Sequence, residues 1–273
     1  MGASAAVREA RGRTSPFHSA ALLEVYDQLY VLTTSDLRAR YGRGGWHLVK
    51  WLIDPFALVG VYLLLVTFIF YRRPPAVGLS LACSIIPFQL ITMTVANSLN
   101  CVQHRRSIIA NMTFRRILLP VSTALTEAFG FAASLALLAL MMAFYGIAPA
   151  LSILWLPVVL IVTWLLGVAV AYATTLIGVW APDLRGLILS AVRAAYFLAP
   201  GLIALSAIHG RTNSLVRLNP LTGLFEALRH AVLYRSSPPA WELLSPLLAA
   251  ALILVIFVPL YRREQRHFAK VLE

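Results

Sequence analysis

Charge is what this sequence has least of. Only 12% of its 273 residues are Asp, Glu, Lys or Arg, while 60% are hydrophobic; a soluble domain usually carries about 25% charged residues. With a mean hydropathy of +0.79, the chain is not an ordinary soluble enzyme. Lysine is limited to Lys50 and Lys270, and neither stands in the Gly-Lys-Ser/Thr setting that cradles a nucleotide phosphate. Any ATP chemistry therefore falls to a partner. An HExxH zinc pair, a GxSxG nucleophile turn and an adjacent carboxylate pair are missing too, so no metal, cofactor or catalytic residue is expected on this chain. The cysteines are Cys83 and Cys101, about 27 Å apart along a continuous helix and too distant to pair. The first 20 residues lack the apolar run of about 7–15 that a secretory signal needs, and the N-terminus is expected to stay in the cytoplasm.

What is present is length in apolar runs. A bilayer core of about 30 Å asks for about 20 apolar residues per helix, and six stretches qualify, near 55–71, 76–99, 117–145, 151–179, 187–208 and 243–261. The reading is an all-α polytopic membrane protein with six transmembrane helices. It divides into a cytoplasmic N-terminal arm (1–51), a membrane domain (52–262) and a cytoplasmic tail (263–273). In the arm, Leu22, Tyr26, Leu29 and Tyr30 recur at helical spacing, which predicts an amphipathic helix lying on the membrane surface. Ser35 is placed to cap a second helical piece from Asp36.

Six spans put both termini on one side, and the formal charge of +12 then sorts itself. Most of the bases fall in the arm, in the loop holding Arg105 and Arg106, near Arg185 and in the tail. Only Arg72, Arg73, Arg211, Arg217, Arg229 and Arg235 fall outside. This is the positive-inside pattern, and it accounts for the charge without nucleic acid. The outer segment between the last two spans has an apolar stripe of Leu221, Leu224, Phe225, Leu228 and Val232 on a helix opened by Asn219-Pro220. At about 14 residues it is too short to span and is read as re-entrant or interfacial.

A few polar and aromatic residues stand out. Glu127 lies inside the third span, where it lines a polar cavity or pairs with a base, or else is satisfied by a neighbouring Ser or Thr. Arg193 lies about 12 Å deeper along the helix than Arg185, which points to a water-filled path, an anionic ligand or a structural ion pair. Tyr62, Tyr196 and Phe197 are the aromatics singled out for stacking on sugar rings; the others are read as interfacial belts and packing. An intramembrane enzyme built on Glu127, His209 and Glu226 is disfavoured, since the first lies within the bilayer and the other two outside it.

Four blocks in order carry a resemblance. Asp36-Leu37-Arg38-Ala39-Arg40-Tyr41, followed by Trp51 and Pro55, is similar to the D-L-R/K-x-R-Y…W…P approach to the first span in the membrane subunits of ABC-2-type polysaccharide exporters. Phe114-Arg115-Arg116-Ile117-Leu118-Leu119-Pro120-Val121-Ser122 resembles the start of that family's third span. Trp180-Ala181-Pro182-Asp183-Leu184 resembles its link to the fifth. The run from Asn219-Pro220 through Glu226 to Arg229 resembles its N-P-x-T-x-x-x-E-x-x-R external helix. Pro182, Arg116 and Ala199-Pro200 depart from the family pattern. The resemblance covers Asp36 to the C-terminus and implies a homodimer of permeases with two ATP-binding cassette subunits that hold ATP and Mg. The first and fifth spans would line the path, with Arg193 near the pyrophosphate of an undecaprenyl-linked glycan. Asn219, Pro220, Glu226 and Arg229 would form an external gate. Asp36, Arg38, Arg40, Tyr41, Gln103, Arg105 and Arg106 would couple to the ATPase. The composition, rich in Ala and Arg and poor in Lys, suits a high-GC bacterium and an actinobacterial cell-wall galactan as cargo; export of drugs or small lipids is the alternative.

Overall fold

The computed structural model describes residues 16–41, 57, 60, 61, 64, 76–106, 114–202, 204–208 and 210–265. Among them there is helix and no strand. The chain runs through α1 (Pro16–Tyr41), α2 (Val77–Ser98), α3 (Cys101–His104), α4 (Leu118–Phe144), a 3-10 turn (Leu151–Trp155) continuing into α5 (Leu156–Trp180), α6 (Arg185–Leu198), α7 (Arg211–Arg217), α8 (Pro220–Val232) and α9 (Ala240–Glu264). Four segments are long and apolar enough to cross a membrane: α2, α4, the 3-10 turn with α5, and α9. They fall within a few residues of the second, third, fourth and sixth expected spans. The expected first span lies mostly outside the described residues.

The stretch expected to be the fifth span is not one helix. α6 ends at Leu198 after 14 residues, about 21 Å of rise and short of the bilayer core. Ala199 is extended, with φ −86° and ψ 156°, because the ring of Pro200 disfavours the helical region for the residue before it. A bend at Gly201 and Leu202 and a 3-10 turn at Leu205–Ala207 follow.

The N-terminal arm also differs from its expectation. α1 is continuous, so Ser35 is an exposed mid-helix residue and caps nothing. The face turned toward the protein is Val25, Gln28, Leu29, Leu32, Thr33 and Asp36, spaced by three and four residues and packed on α4. Tyr26 and Tyr30, 64% and 59% exposed, lie on a different face and stack with ring centroids 6.4 Å apart. Packing on α4 decides this helix, and it overrides the local capping signal.

α2 is the central element, contacting α4, α5, α6 and α8, and most of its first half is buried. Its approach to α5 depends on Gly178, where a Cβ would stand 2.2 Å from the carbonyl oxygen of Leu99. α4 ends in a Schellman turn: Ile147 N–H donates to Met142 O at 2.9 Å and Gly146 N–H to Ala143 O at 3.1 Å, with Gly146 at φ +65°. α9 leaves Leu244, Leu248, Leu252, Val255 and Ile256 exposed, an apolar flank that suits lipid.

Candidate functional site

The short helix α8 is built as the sequence suggests, and most of it is buried. Asn219 Oδ1 accepts from Leu221 N–H at 3.0 Å, Pro220 takes the first helical position, and the remaining Asn219 amide donates to Ala195 O at 3.1 Å. Every residue from Leu221 to Arg229 is buried. Gly223 allows this: a Cβ there would meet Glu242 O at 2.5 Å and Ser245 Oγ at 2.6 Å. The helix is therefore seated against the start of α9, with α2 beneath it.

From this seat Arg229, fully buried, reaches into the broken segment. Its Nη1 donates to Glu226 Oε1 at 2.6 Å and to Pro200 O at 3.0 Å, its Nη2 to Gly201 O at 3.1 Å, and its Nε to Ser80 O at 3.4 Å. Glu226 Oε1 also accepts from Leu205 N–H at 2.9 Å. Where α6 stops, backbone groups lose their helical partners, and in a low-dielectric setting each must find another. Arg229 and Glu226 supply them on both sides of the break. Ser84 Oγ adds a bond to Gly201 O at 2.6 Å. Tyr196 closes the same corner: its ring lies over Gly201, where a Cβ would be 2.5 Å away, and its centroid is 4.6 Å from Phe88 and 5.7 Å from Phe225. The arrangement is a clamp that holds α6, α2 and α8 in one register.

At the opposite end of α2 a second arginine ties three elements together. Arg105 is buried and forms an ion pair with Asp36 of α1, with Nε donating to Asp36 Oδ1 at 3.3 Å. Its Nη1 donates to Leu119 O at 3.3 Å and Ser122 Oγ at 3.0 Å. Burial pushes the guanidinium down to about 10, with Tyr261 acting in the opposite sense, and it stays charged at neutral pH. Beside it Arg185 donates to Gln103 Oε1 at 3.0 Å and Gly178 O at 2.9 Å. Arg116 reaches Gln265 O at 2.8 Å. Two of the four sequence blocks named above thus meet around the α2–α4 connection, and Arg185, next to the third, borders it.

No protein-family model matches the chain. An O-antigen export system permease protein, RfbA, of Klebsiella pneumoniae is 23% identical over 252 residues, covering 91% of this chain and 96% of its own length. The RfbA permease of Myxococcus xanthus is 26% identical over 233 residues, 84% of this chain and 88% of its own. The chain is similar to O-antigen export permeases. The resemblance read from the four blocks to polysaccharide-export permeases is borne out along nearly the whole chain.

The other permease residues named from sequence scatter. Arg38, Gln103 and Arg106 are exposed around the Arg105 tie. Arg40 and Tyr41 fall in the last turn of α1, and their side chains, like Tyr62 and His209, lie outside the described residues. Glu127 is buried and accepts from Asn97 Nδ2 of α2 at 2.9 Å. Arg193 is exposed on α6 with no hydrogen bond among the described residues. Tyr196 is buried in the clamp while Phe197, 63% exposed, borders an apolar hollow of about 160 Å³ with Leu198, Pro200 and Val216. Sequence reasoning missed Ser80, Ser84 and Asn97 as partners. It also passed over Pro200-Gly201, a turn signal inside an apolar block that could have located the break.

Proposed function

We propose that this chain is the membrane permease subunit of an ATP-driven ABC exporter that moves a lipid-linked polysaccharide from the cytoplasmic side across a bacterial cell membrane. Six spans with both termini cytoplasmic, and a homodimer served by two ATP-binding cassette subunits, complete the reading. The observation that carries it is the full-length similarity to O-antigen export permeases, joined to the placement of the family-like blocks around Arg105. In this reading Arg38, Gln103 and Arg106 face the ATPase, which holds ATP and Mg. Asp36 and Arg105 pass its motion from α1 to α4. The clamp of Glu226 and Arg229 fixes the outer mouth, and exposed Arg193 offers a guanidinium fork to the pyrophosphate of an undecaprenyl-type carrier. Phe197 and Tyr62 serve as sugar-stacking faces.

The test is to express the chain with the ATPase encoded beside it, purify the complex and follow surface glycan in a strain lacking both. Capture of the ATPase and restoration of surface polysaccharide are expected. A chain that stays monomeric, captures no nucleotide-binding protein or restores export only of small hydrophobic compounds refutes the reading.

A further inference from the structure

One face of α2 changes character half-way along. In its first half that face is Gly78, Ala82, Ile85 and Ile86, all buried. The same face continues as Gln89, Thr92, Met93, Ala96 and Asn97, spaced by three, one, three and one residues over about 12 Å of helix, and Asn100 follows in the turn after it. None of these six is fully buried, and Met93 is 43% exposed, although the remainder of the helix is packed. The stripe carries two asparagines, a glutamine and a threonine, and no charge.

Some polar atoms of the stripe are buried yet have no partner among the described residues. Gln89 Oε1 and Thr92 Oγ1 have no hydrogen-bond partner. Several hydroxyls of the other spans bond back one turn, Thr123 to Leu119 O at 3.0 Å, Thr126 to Ser122 O at 2.9 Å, Thr163 to Val159 O at 2.7 Å and Thr174 to Val170 O at 2.8 Å, whereas on α2 Thr94 and Ser98 of the packed side are also without a partner. Thr92 makes no such bond. Asn97 and Asn100 commit amide nitrogens, to Met93 O at 2.8 Å, Glu127 Oε1 at 2.9 Å and Ala96 O at 3.1 Å, with no bond to either carbonyl oxygen among the described residues. An orphaned acceptor within the membrane costs free energy unless water or a ligand satisfies it. Polar residues in spans accordingly face a bundle interior or a water-filled cavity.

We propose that this half of α2 is a wall of the cargo path that hydrogen-bonds the hydroxyls of an uncharged sugar chain. The inference rests on the polysaccharide-exporter reading and adds to it a site that is on neither the first nor the fifth span. Amides and a hydroxyl are suited to the task. They accept and donate to sugar hydroxyls, and they exchange with water at little net cost, so a polymer slides along them without being trapped. The lack of a cation excludes the pyrophosphate as the partner of this stripe. In the proposed orientation the stripe runs from mid-membrane to the cytoplasmic end, and the more deeply packed outer half leads to the Arg229 clamp.

The experiment uses the permease with its ATPase in membranes. Thr92→Cys and Ala96→Cys are labelled in inside-out vesicles with a charged, membrane-impermeant methanethiosulfonate, beside Val95→Cys in the core and Leu252→Cys on the exposed flank of α9. The native Cys83 and Cys101 are buried and set the background. Labelling at 92 and 96 well above the two controls is expected. Glycan export by Gln89→Leu/Thr92→Val is expected to fall several-fold at unchanged membrane abundance and ATP hydrolysis, with Thr92→Ser close to wild type. Labelling at 92 and 96 no faster than at 95 overturns the water-lined wall; labelling with undiminished export overturns the sugar contact. Failure of the parent reading is separately visible, because the wild-type complex would then export no glycan before any variant is compared.

Discussion

Replacing Arg229 by methionine isolates the energetic role of the clamp. The side chain is fully buried, and its loss leaves Glu226 with one hydrogen bond among the described residues, from Leu205 N–H, and strands the carbonyls of Pro200, Gly201 and Ser80. Removing one partner of a buried pair costs about 3–5 kcal/mol. Each stranded carbonyl would add about 1–3 kcal/mol if nothing relaxed, but Ser84 still holds Gly201 O and such terms do not add. A loss of about 4 kcal/mol is the working figure, which in a chain of this size lowers the melting temperature by about 8–16 °C. Both native cysteines are buried, so a dye that fluoresces on reacting with thiols reports unfolding in detergent without engineering. Arg229→Met should melt on the order of 10 °C below wild type. Glu226→Leu/Arg229→Met should recover part of that loss, since the uncompensated carboxylate is gone, but not all, since the carbonyls remain unmet. A single variant as stable as wild type, or a double variant no more stable than the single, would refute the reasoning.

Asp36→Asn should lower glycan export several-fold while leaving ATP hydrolysis in the complex largely intact, because it loosens α1 from Arg105 without touching the ATPase; exchanging the pair as Asp36→Arg/Arg105→Asp should restore export in part, and equal loss of both activities would count against a coupling role. Gly178→Ala should fail to accumulate as folded protein, or melt far below wild type, because the new methyl meets Leu99 O at 2.2 Å and backbone on backbone has nowhere to move; normal expression and melting would contradict the close approach. Arg193→Ala should cut export yet leave the homodimer intact by cross-linking, and unchanged export removes it from the path. His230 is held below the usual imidazole range by burial, opposed by Glu226. Its folded pKa therefore lies under the unfolded value of 6.5, and the stability it contributes is present above that value and lost as pH falls through it. Wild type should lose more melting temperature than His230→Gln between about pH 7 and about pH 5.

Legibility in the sequence followed the range of the forces involved. The apolar runs of α2, α4, α5 and α9 could be read because burial in lipid depends on composition over about 20 residues and on nothing distant. The short helix α8 could be read too: Asn219-Pro220 is a local capping signal, and the stripe from Leu221 to Val232 has helical period. That Glu226 and Arg229 matter was also visible, as charges with no topological purpose. What could not be read was whom they serve. Their partners, Pro200, Gly201, Leu205 and Ser80, come from other parts of the chain, and only the folding of α8 onto α2 brings them within reach. The same holds at the other end: Asp36 and Ser122 each belong to a recognisable block and Arg105 to a basic loop, but no local rule joins them.

The amino-acid sequence alone determined that this protein carries several helices apolar and long enough for a membrane and a capped short helix before the last of them, since these follow from composition and spacing. The tertiary structure decided where the fifth apolar block breaks, which face of α1 is packed, and which polar atoms of α2 go unmet. Those outcomes depend on contacts between residues far apart in the chain, where packing and the satisfaction of buried hydrogen-bonding groups outweigh local preference.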